Sequence, residues 1–304
     1  MENINLEDTI KPRKVWKALL LSLFALGLGQ IYNGQIKKCL IIWICIIFIS
    51  FVFAATKFLT TFYGWITLCV ILIGIQLYVH IDACVSAKSQ KNYLPKKYNK
   101  RYFYVIFGVI IYAVFWLFFA SPFLNVVGSV RNFKIPTEAN EPTLQIGDNV
   151  VADMRAYKKS TPDYADIVIF NIDDAPYIFR VIGKPNDTLS IKDNSLIINN
   201  KPVKTLFIRI IETDNFLINE YEEELPNGRK YLIYRQIPNP YPETVNIDNI
   251  IVPADSYFLM GDNRDNAFDS RYLGFIKREQ IIGKAAFILT GKSFERRNID
   301  LNAE

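Results

Sequence analysis

Three long hydrophobic runs without a charged residue, at 39–56, 58–79 and 102–124, constrain the fold of this chain more than any other feature. Each run has 18 residues or more. An α-helix of that length crosses the ~30 Å hydrocarbon core of a bilayer, because it rises 1.5 Å per residue. A spanning segment must also satisfy its own backbone hydrogen bonds. The runs are therefore predicted to be three transmembrane helices.

A weaker hydrophobic stretch, residues 18–36, precedes these runs. Its second half contains glycines and polar side chains, including Gln30, Asn33 and Gln35. We interpret it as a re-entrant or interfacial segment, with a full transmembrane span as the alternative.

Charge divides the chain near residue 130. Residues 1–130 contain 13 Lys and Arg against four Asp and Glu, whereas the remaining residues contain 22 against 26. The basic residues of the first part cluster at 11–17, 37–38 and 88–101. Basic loops stay on the cytoplasmic side of a membrane, so this excess predicts membrane topology and not nucleic-acid binding. Membrane lipid is the expected partner of this half, and no nucleic acid is expected.

These signals predict a multi-pass membrane protein with four parts. Three spans with cytoplasmic basic clusters place everything after about residue 125 outside the cytoplasm. The predicted parts are a basic cytoplasmic segment with the interfacial stretch at 1–38, two transmembrane helices with a basic cytoplasmic loop at 39–101, a third transmembrane helix at 102–130, and an extracytoplasmic domain at 131–304.

The last part is predicted to be a mainly-β domain. Short runs rich in β-branched and aromatic residues alternate there with turn signals. The predicted strands are 149–152, 166–172, 177–182, 188–192, 195–198, 230–234, 256–260 and 281–290. Asp193 and Asn194 suit a tight hairpin turn between two of them. The more charged stretch 201–250 is interpreted as a cap inserted between core strands, with Glu222–Glu224 as a solvated acidic face.

Cysteine and histidine usage excludes several chemistries from the β domain. The four cysteines and His80 all precede residue 130. The domain therefore has no Ser-His-Asp triad, no cysteine nucleophile and no His-ligated metal. No cysteine pair has the CxxC spacing, and no disulfide framework is indicated. We expect neither a metal nor a cofactor.

One stretch of the β domain contains a specific sequence motif. Residues 260–274 begin with Met260, Gly261 and Asp262, followed by Asn-Arg-Asp-Asn, and end at Gly274. They resemble the signature of bacterial type I signal peptidases, which cleave secretory signal peptides with a Ser nucleophile and a Lys general base. The resemblance covers residues 103–290 in the correct order. It implies a signal-peptidase-like fold, a place in the bacterial inner (cytoplasmic) membrane, and signal peptides of preproteins as partners.

The same resemblance locates the site. Ala139 stands at the family's nucleophile position within residues 137–144, Phe179 at the general-base position, and Ala267 at the position of a supporting Ser. The residues expected to support the site by resemblance are Thr137, Pro142, Thr143, Arg180, Asp269 and Arg271. Asp269 and Arg271 are expected to form a structural ion pair.

With these three substitutions, the chain lacks the residues that the family uses for hydrolysis. Acyl transfer needs an activated hydroxyl, amine or thiol, and neither Ala139 nor Phe179 supplies one. The sequence predicts a catalytically inactive homologue that binds signal peptides or an active signal peptidase paralogue. The alternative is an active signal peptidase that uses displaced residues, such as Thr137 with Lys134 or Lys184. A third interpretation gives the function to the membrane half, with the outer domain as a scaffold.

Overall fold

The computed structural model describes five stretches of the chain: residues 12–116, 130–192, 195–213, 215–238 and 246–302. The chain forms two compact units; one is helical and comprises residues 1–59 and 63–129, and the other is mainly β and comprises residues 60–62 and 130–304. The predicted hairpin turn at Asp193 and Asn194 lies outside the described residues, as does the end of the third hydrophobic run, 117–124.

Five α-helices make up the described part of the helical unit. They are α1 Val15–Phe24, α2 Leu28–Tyr32, α3 Ile36–Ala55, α4 Phe62–Ser89 and α5 Arg101–Phe115. Helices α3 and α4 are long and apolar enough to cross a membrane. Only 17% and 11% of their apolar segments are buried inside the structure, whereas the core helix of a soluble protein is mostly buried. Their exposed apolar surface is that expected of lipid-facing helices.

The weak stretch at 18–36 is broken into two helices. Helix α1 ends at Phe24, and Gly27 adopts a φ of 98° before α2 begins. Ten residues of α-helix are about 15 Å long, so this segment does not cross a bilayer as one helix. Helix α2 is buried against α4, where Gln30 Nε2 donates to the Val79 carbonyl at 2.7 Å. Its placement relative to a membrane stays a prediction.

The observed helices differ from the predicted runs at several ends. Helix α3 begins at Ile36, three residues before the predicted 39, and helix α4 begins at Phe62, four residues after the predicted 58. Helix α4 extends to Ser89, ten residues beyond the predicted 79. This extension is stable because its polar groups have partners within the unit: Asp82 pairs with Lys38 and also accepts a hydrogen bond from Gln30. Helix α5 begins at Arg101, but its described part is too short to span a bilayer, so the third span stays a prediction.

The β unit contains fifteen strands and one short helix among its described residues. The strands are β1 Val130–Lys134, β2 Asn149–Asp153, β3 Ile167–Ile172, β4 Ala175–Gly183, β5 Thr188–Lys192, β6 Ser195–Ile198, β7 Lys201–Pro202, β8 Lys204–Glu212, β9 Leu217–Glu224, β10 Lys230–Ile237, β11 Ile247–Ile251, β12 Ser256–Met260, β13 Ile276–Lys277, β14 Ile281–Thr290 and β15 Ile299–Asp300. The helix is α6, Ser270–Leu273.

The strands form antiparallel sheets. The main sheet has the order β1-β2-β14-β3-β4-β12-β13, with β15 paired to β14. Strands β11, β5, β6 and β7 form a second sheet, and β10, β9 and β8 a third. In the main sheet, Phe179 of β4 pairs with Val168, and Arg180 pairs with Ile167. Because successive side chains of a strand point to opposite faces, Phe179 and Arg180 serve opposite sides of this sheet.

All eight predicted strands occur, with small shifts at their ends. Sequence patterns missed the other seven described strands, β1, β7, β8, β9, β11, β13 and β15. Half of the residues in 201–250, the stretch predicted as a cap, belong to the three-stranded sheet of β8, β9 and β10. The prediction of a solvated acidic face is wrong for Glu223, which is 0% exposed. Glu223 is buried between Glu222 and Glu224, which are both partly exposed, and Glu220 of the same strand is buried too.

Candidate functional site

A cavity of about 650 Å³, called the groove below, opens between the end of β1, strand β4 and the loop after β12. It is lined by residues 133–140, 176–179, 265–268 and Tyr272. Ala139, Phe179 and Ala267 all lie in this lining. The fold therefore brings together the three positions that the resemblance assigns to the nucleophile, the base and the supporting Ser.

The wall of the groove at Phe179 is apolar. Phe179 is 5% exposed and belongs to a buried cluster that also contains Phe170, Val181 and Ala267. Ala139 packs against the same cluster. None of these side chains can exchange a proton or attack a carbonyl carbon. The arrangement offers a hydrophobic surface to a ligand.

Hydrogen bonds hold the loop that carries Ala139. The Asn140 side chain, at a position where the family motif has Met, donates to the Ile178 carbonyl at 2.7 Å. The backbone N–H of Asn263 donates to the Ala139 carbonyl at 3.1 Å. The Asn263 side chain also donates to the Glu138 carbonyl at 3.2 Å. The loop is thus tied both to β4 and to the signature stretch.

Gly261 allows these elements to approach closely. A Cβ at this position would lie 2.4 Å from the Ala139 carbonyl oxygen and 2.5 Å from the Ala267 Cβ. Real Cβ atoms do not approach other atoms so closely, and one contact is to backbone. Glycine is therefore required here for steric reasons. This position determines the width of the groove between Ala139 and Ala267.

Arg180 organises the opposite face of β4. Its Nε and Nη2 donate to the two carboxylate oxygens of Asp262 at 2.7 and 2.6 Å. Nη2 also donates to the Thr143 hydroxyl at 3.1 Å. Burial alone would lower the pKa of Arg180, but the negative charge and hydrogen bonds of Asp262 raise it. Arg180 therefore joins the loop at 143 to the signature stretch.

Asp269 and Arg271 form a two-pronged ion pair, with both N–O distances at 2.9 Å. Asp269 also caps α6 by accepting from the Arg271 N–H at 3.1 Å, and it accepts from the Gly261 N–H at 2.9 Å. Neither residue is among those that line the groove. Their contacts fix the turn that carries Gly261 and Ala267.

Sequence patterns missed a buried charge cluster that anchors the signature stretch to the cap. Arg264 Nη1 donates to Glu223 Oε1 at 3.1 Å, and Nη2 donates to Oε2. The Tyr231 hydroxyl donates to Glu223 Oε2 at 2.7 Å. Burial by itself would raise the pKa of Glu223, but the Arg264 charge and these hydrogen bonds lower it. The buried residues of β9, Glu220 and Glu223, are three positions apart, so no period-two signal in the sequence indicated this inward carboxylate.

The remaining candidates do not gather in one place. Thr137 and Lys134 line the groove, and both are exposed. Pro142, Thr143 and Arg180 line a separate cavity of about 260 Å³. Lys184 is not part of the groove lining, and its Nζ forms an ion pair with Asp163 at 2.8 Å.

Two carboxylates that sequence patterns did not single out also line the groove, Glu138 and Asp265. Asp265 is 9% exposed and accepts a hydrogen bond from the Gln236 N–H at 2.8 Å. Burial raises the pKa of Asp265, and the hydrogen bond and nearby arginines only partly offset this effect. In the described part of the chain, no three Asp, Glu, His or Cys side chains are grouped so that they could hold a metal ion.

The sequence of the chain also matches a known protein family. A family model described as signal peptidase, peptidase S26, matches residues 100–290. The chain belongs to this signal peptidase family. The match includes all nine positions that the motif resemblance assigned to the site. The family prediction from the motifs is thereby confirmed.

Three relatives that are signal peptidases by name illustrate the similarity. Signal peptidase I of Rickettsia prowazekii is 38% identical over 136 residues, which cover 42% of this chain and 52% of the relative. Probable signal peptidase I-2 of Synechocystis is 28% identical over 159 residues, covering 50% and 59%. Signal peptidase I of Pseudomonas fluorescens is 30% identical over 235 residues, covering 67% and 75%. The chain thus spans a little over half of the first two relatives and three quarters of the third.

Proposed function

We propose that this chain is a non-hydrolysing member of the signal peptidase family that binds signal peptides in the groove. The observation that carries the proposal is the presence of Ala139, Phe179 and Ala267 together in the groove lining. A peptide bond held there meets methyl groups and an aromatic ring where hydrolysis would need a nucleophile and a base. An apolar groove with fixed backbone still suits an extended hydrophobic peptide.

The contacts of the displaced candidates favour this proposal over an active enzyme. A lysine acts as a base at neutral pH when burial disfavours its charged form, whereas Lys134 is exposed. The Lys184 Nζ forms an ion pair with Asp163 and lies over the Tyr164 ring, 4.2 Å from its centroid. Thr137 therefore has no buried lysine partner among the residues that line the groove.

The proposed location is the bacterial inner membrane, in a multi-pass arrangement with the β unit extracytoplasmic. Two helices of sufficient length and apolar character support membrane insertion. The orientation follows from the basic clusters at 11–17, 37–38 and 88–101, which favour the cytoplasmic side.

Cleavage and binding are tested on the same full-length protein in detergent. A preprotein incubated with it should remain uncut, while an active signal peptidase I added to the same preparation should process it. Enzymes accelerate hydrolysis by roughly 10⁶-fold or more, so genuine activity would be obvious. Cleavage that Thr137→Ala abolishes would establish the active alternative.

Binding is measured with a fluorescent signal peptide and a matched pair of variants. Phe268 lines the groove and is 61% exposed, and Phe294 is 80% exposed outside it. Burying a phenylalanine side chain contributes about 1.5–3 kcal/mol, so Phe268→Ala should weaken binding about tenfold or more. Phe294→Ala should leave it unchanged. Equal effects of the two substitutions would place the peptide elsewhere.

A further inference from the structure

The charged side chains that line the groove are unbalanced. Glu138 and Asp265 contribute two carboxylates, and Lys134 contributes one ammonium group. Lys134 is exposed at the end of β1, whereas Asp265 is almost fully buried. The Glu138 carboxylate is held by the Asn266 side chain, whose Nδ2 donates to Oε2 at 3.2 Å. The acidic groups therefore have defined positions beside the apolar wall.

Burial disfavours the charged form of two carboxylates in this region, Asp265 and Glu141. Burial raises the pKa of Asp265 more than its hydrogen bond and nearby arginines lower it. Glu141 follows Glu138 in the same turn, with its N–H donating to the Glu138 carbonyl at 3.0 Å. Burial raises the pKa of Glu141, and the negative charge of Glu138 raises it further. A cation placed beside Asp265 in the groove would favour its charged carboxylate, because an opposite charge nearby lowers the pKa of a carboxyl group.

We propose that the groove selects peptides in which a lysine or arginine is flanked by apolar residues, with Glu138 and Asp265 receiving the cationic side chain. This inference rests on the proposed peptide-binding function and names the ligand chemistry of the same groove. Ala139, Phe179 and Ala267 contact the apolar flanks. The two carboxylates accept charge-assisted hydrogen bonds, which are shorter and stronger than neutral ones. The family motif has Gly where this chain has Glu138, so the selectivity is a property of this chain's own residues.

Three labelled peptides of identical apolar sequence test the inference, with a central lysine, norleucine or glutamate. Norleucine keeps the aliphatic stem of lysine and removes its charge. Fluorescence anisotropy with the full-length protein in neutral detergent measures the affinity of each peptide. The lysine peptide should bind most tightly, the norleucine peptide about five- to tenfold more weakly, and the glutamate peptide most weakly. Raising the salt concentration should reduce the ratio of the affinities for the lysine and norleucine peptides, because salt screens exposed charges.

Two variants locate the effect. Glu138→Gln should remove most of the preference for lysine, measured as the ratio of the affinities for the lysine and norleucine peptides. Glu212→Gln makes the same change in net charge at an exposed position on β8, outside the groove, and should leave the preference intact. Asp265→Asn gives a second groove variant in which the side-chain oxygen can still accept from the Gln236 N–H.

The outcomes separate the inference from the function beneath it. Equal binding of all three peptides would overturn the charge selectivity and leave peptide binding standing. Equal loss of preference in Glu138→Gln and Glu212→Gln would also overturn it, since only long-range charge would then be at work. Binding of none of the peptides would overturn the proposed function and the inference together.

Discussion

The ring of Phe179 packs against the ring of Phe170, with centroids 5.9 Å apart and planes inclined by 39°. Tyr177 lies on the same side, with its ring 5.7 Å from that of Phe170. The position that the family resemblance assigns to a lysine is therefore filled by an aromatic cluster. Such pairs are stabilising beyond the apolar area they bury.

Restoring the lysine alone should destabilise the β unit. Phe179→Lys places an amine against Phe170 and Val168, and a charged group there would lower the free energy of unfolding by several kcal/mol. The loss should shrink at alkaline pH, where the amine becomes neutral. Phe179→Leu, which keeps the site apolar, should lower it by about 1 kcal/mol.

Stability of the β unit is best followed by pulse proteolysis of the full chain in urea, detected through a C-terminal tag. All four tryptophans precede residue 117, so their fluorescence reports the helical unit instead. Equal urea midpoints for Phe179→Lys and Phe179→Leu would contradict burial of this position.

Catalysis should require several substitutions together. Ala139→Ser alone should give no cleavage of a preprotein, because a serine without a base is a poor nucleophile at neutral pH. Ala139→Ser combined with Phe179→Lys and Ala267→Ser supplies the amine with two hydroxyl partners. We expect this triple variant to have the highest activity, with wild type near zero. Wild-type activity equal to that of the triple variant would contradict the proposed function.

Removing the buried partner of Arg264 should weaken the cap. Glu223→Gln leaves a buried guanidinium without its counter-charge, and breaking such a pair lowers the free energy of unfolding by about 3–5 kcal/mol. Glu222→Gln is the control, because Glu222 pairs with the exposed Lys230 at 2.9 Å, and such surface pairs contribute about 0–1 kcal/mol.

The pH dependence of this deficit follows from the lowered pKa of Glu223. A carboxylate with a folded-state pKa below its unfolded value stabilises the protein above the unfolded pKa, roughly 4.3 for Glu. That contribution disappears as the pH falls through the folded-state pKa. Urea midpoints of wild type and Glu223→Gln should therefore converge in acid. A deficit that is constant with pH would argue for a packing effect.

Asp265 should behave in the opposite way, because its pKa is raised. Its contribution to stability is fully present below the unfolded pKa and is lost as the pH rises through the folded-state pKa. Asp265→Asn should therefore raise the urea midpoint at neutral pH, and the gain should vanish in acid. A lower midpoint for Asp265→Asn at neutral pH would show that the environment stabilises the carboxylate charge.

Membrane orientation is tested by proteolysis of intact spheroplasts. If the basic clusters lie in the cytoplasm, a C-terminal tag should be digested without lysis, and a cytoplasmic marker protein should survive. Protection of the tag until the cells are lysed would reverse the proposed topology.

Much of the β unit could be predicted because its strands have local signals. Strands β5, β6, β12 and β14 begin and end at the predicted residues, since alternation and turn residues act within a few positions. Strand β8 was missed because eight of its nine residues are exposed and show no alternation. Its pairing with β9 comes from tertiary context.

The sequence by itself determined the family, the long apolar helices and the chemical identity of the side chains at 139, 179 and 267. These depend on residue types and local spacing, which need no fold. Only the tertiary structure decided that Glu138 and Asp265 share a cavity with Ala139 and Phe179. It also decided that Glu223 is buried against Arg264, a residue 41 positions away. Burial and charge compensation depend on which distant segments meet, and local sequence does not specify those contacts.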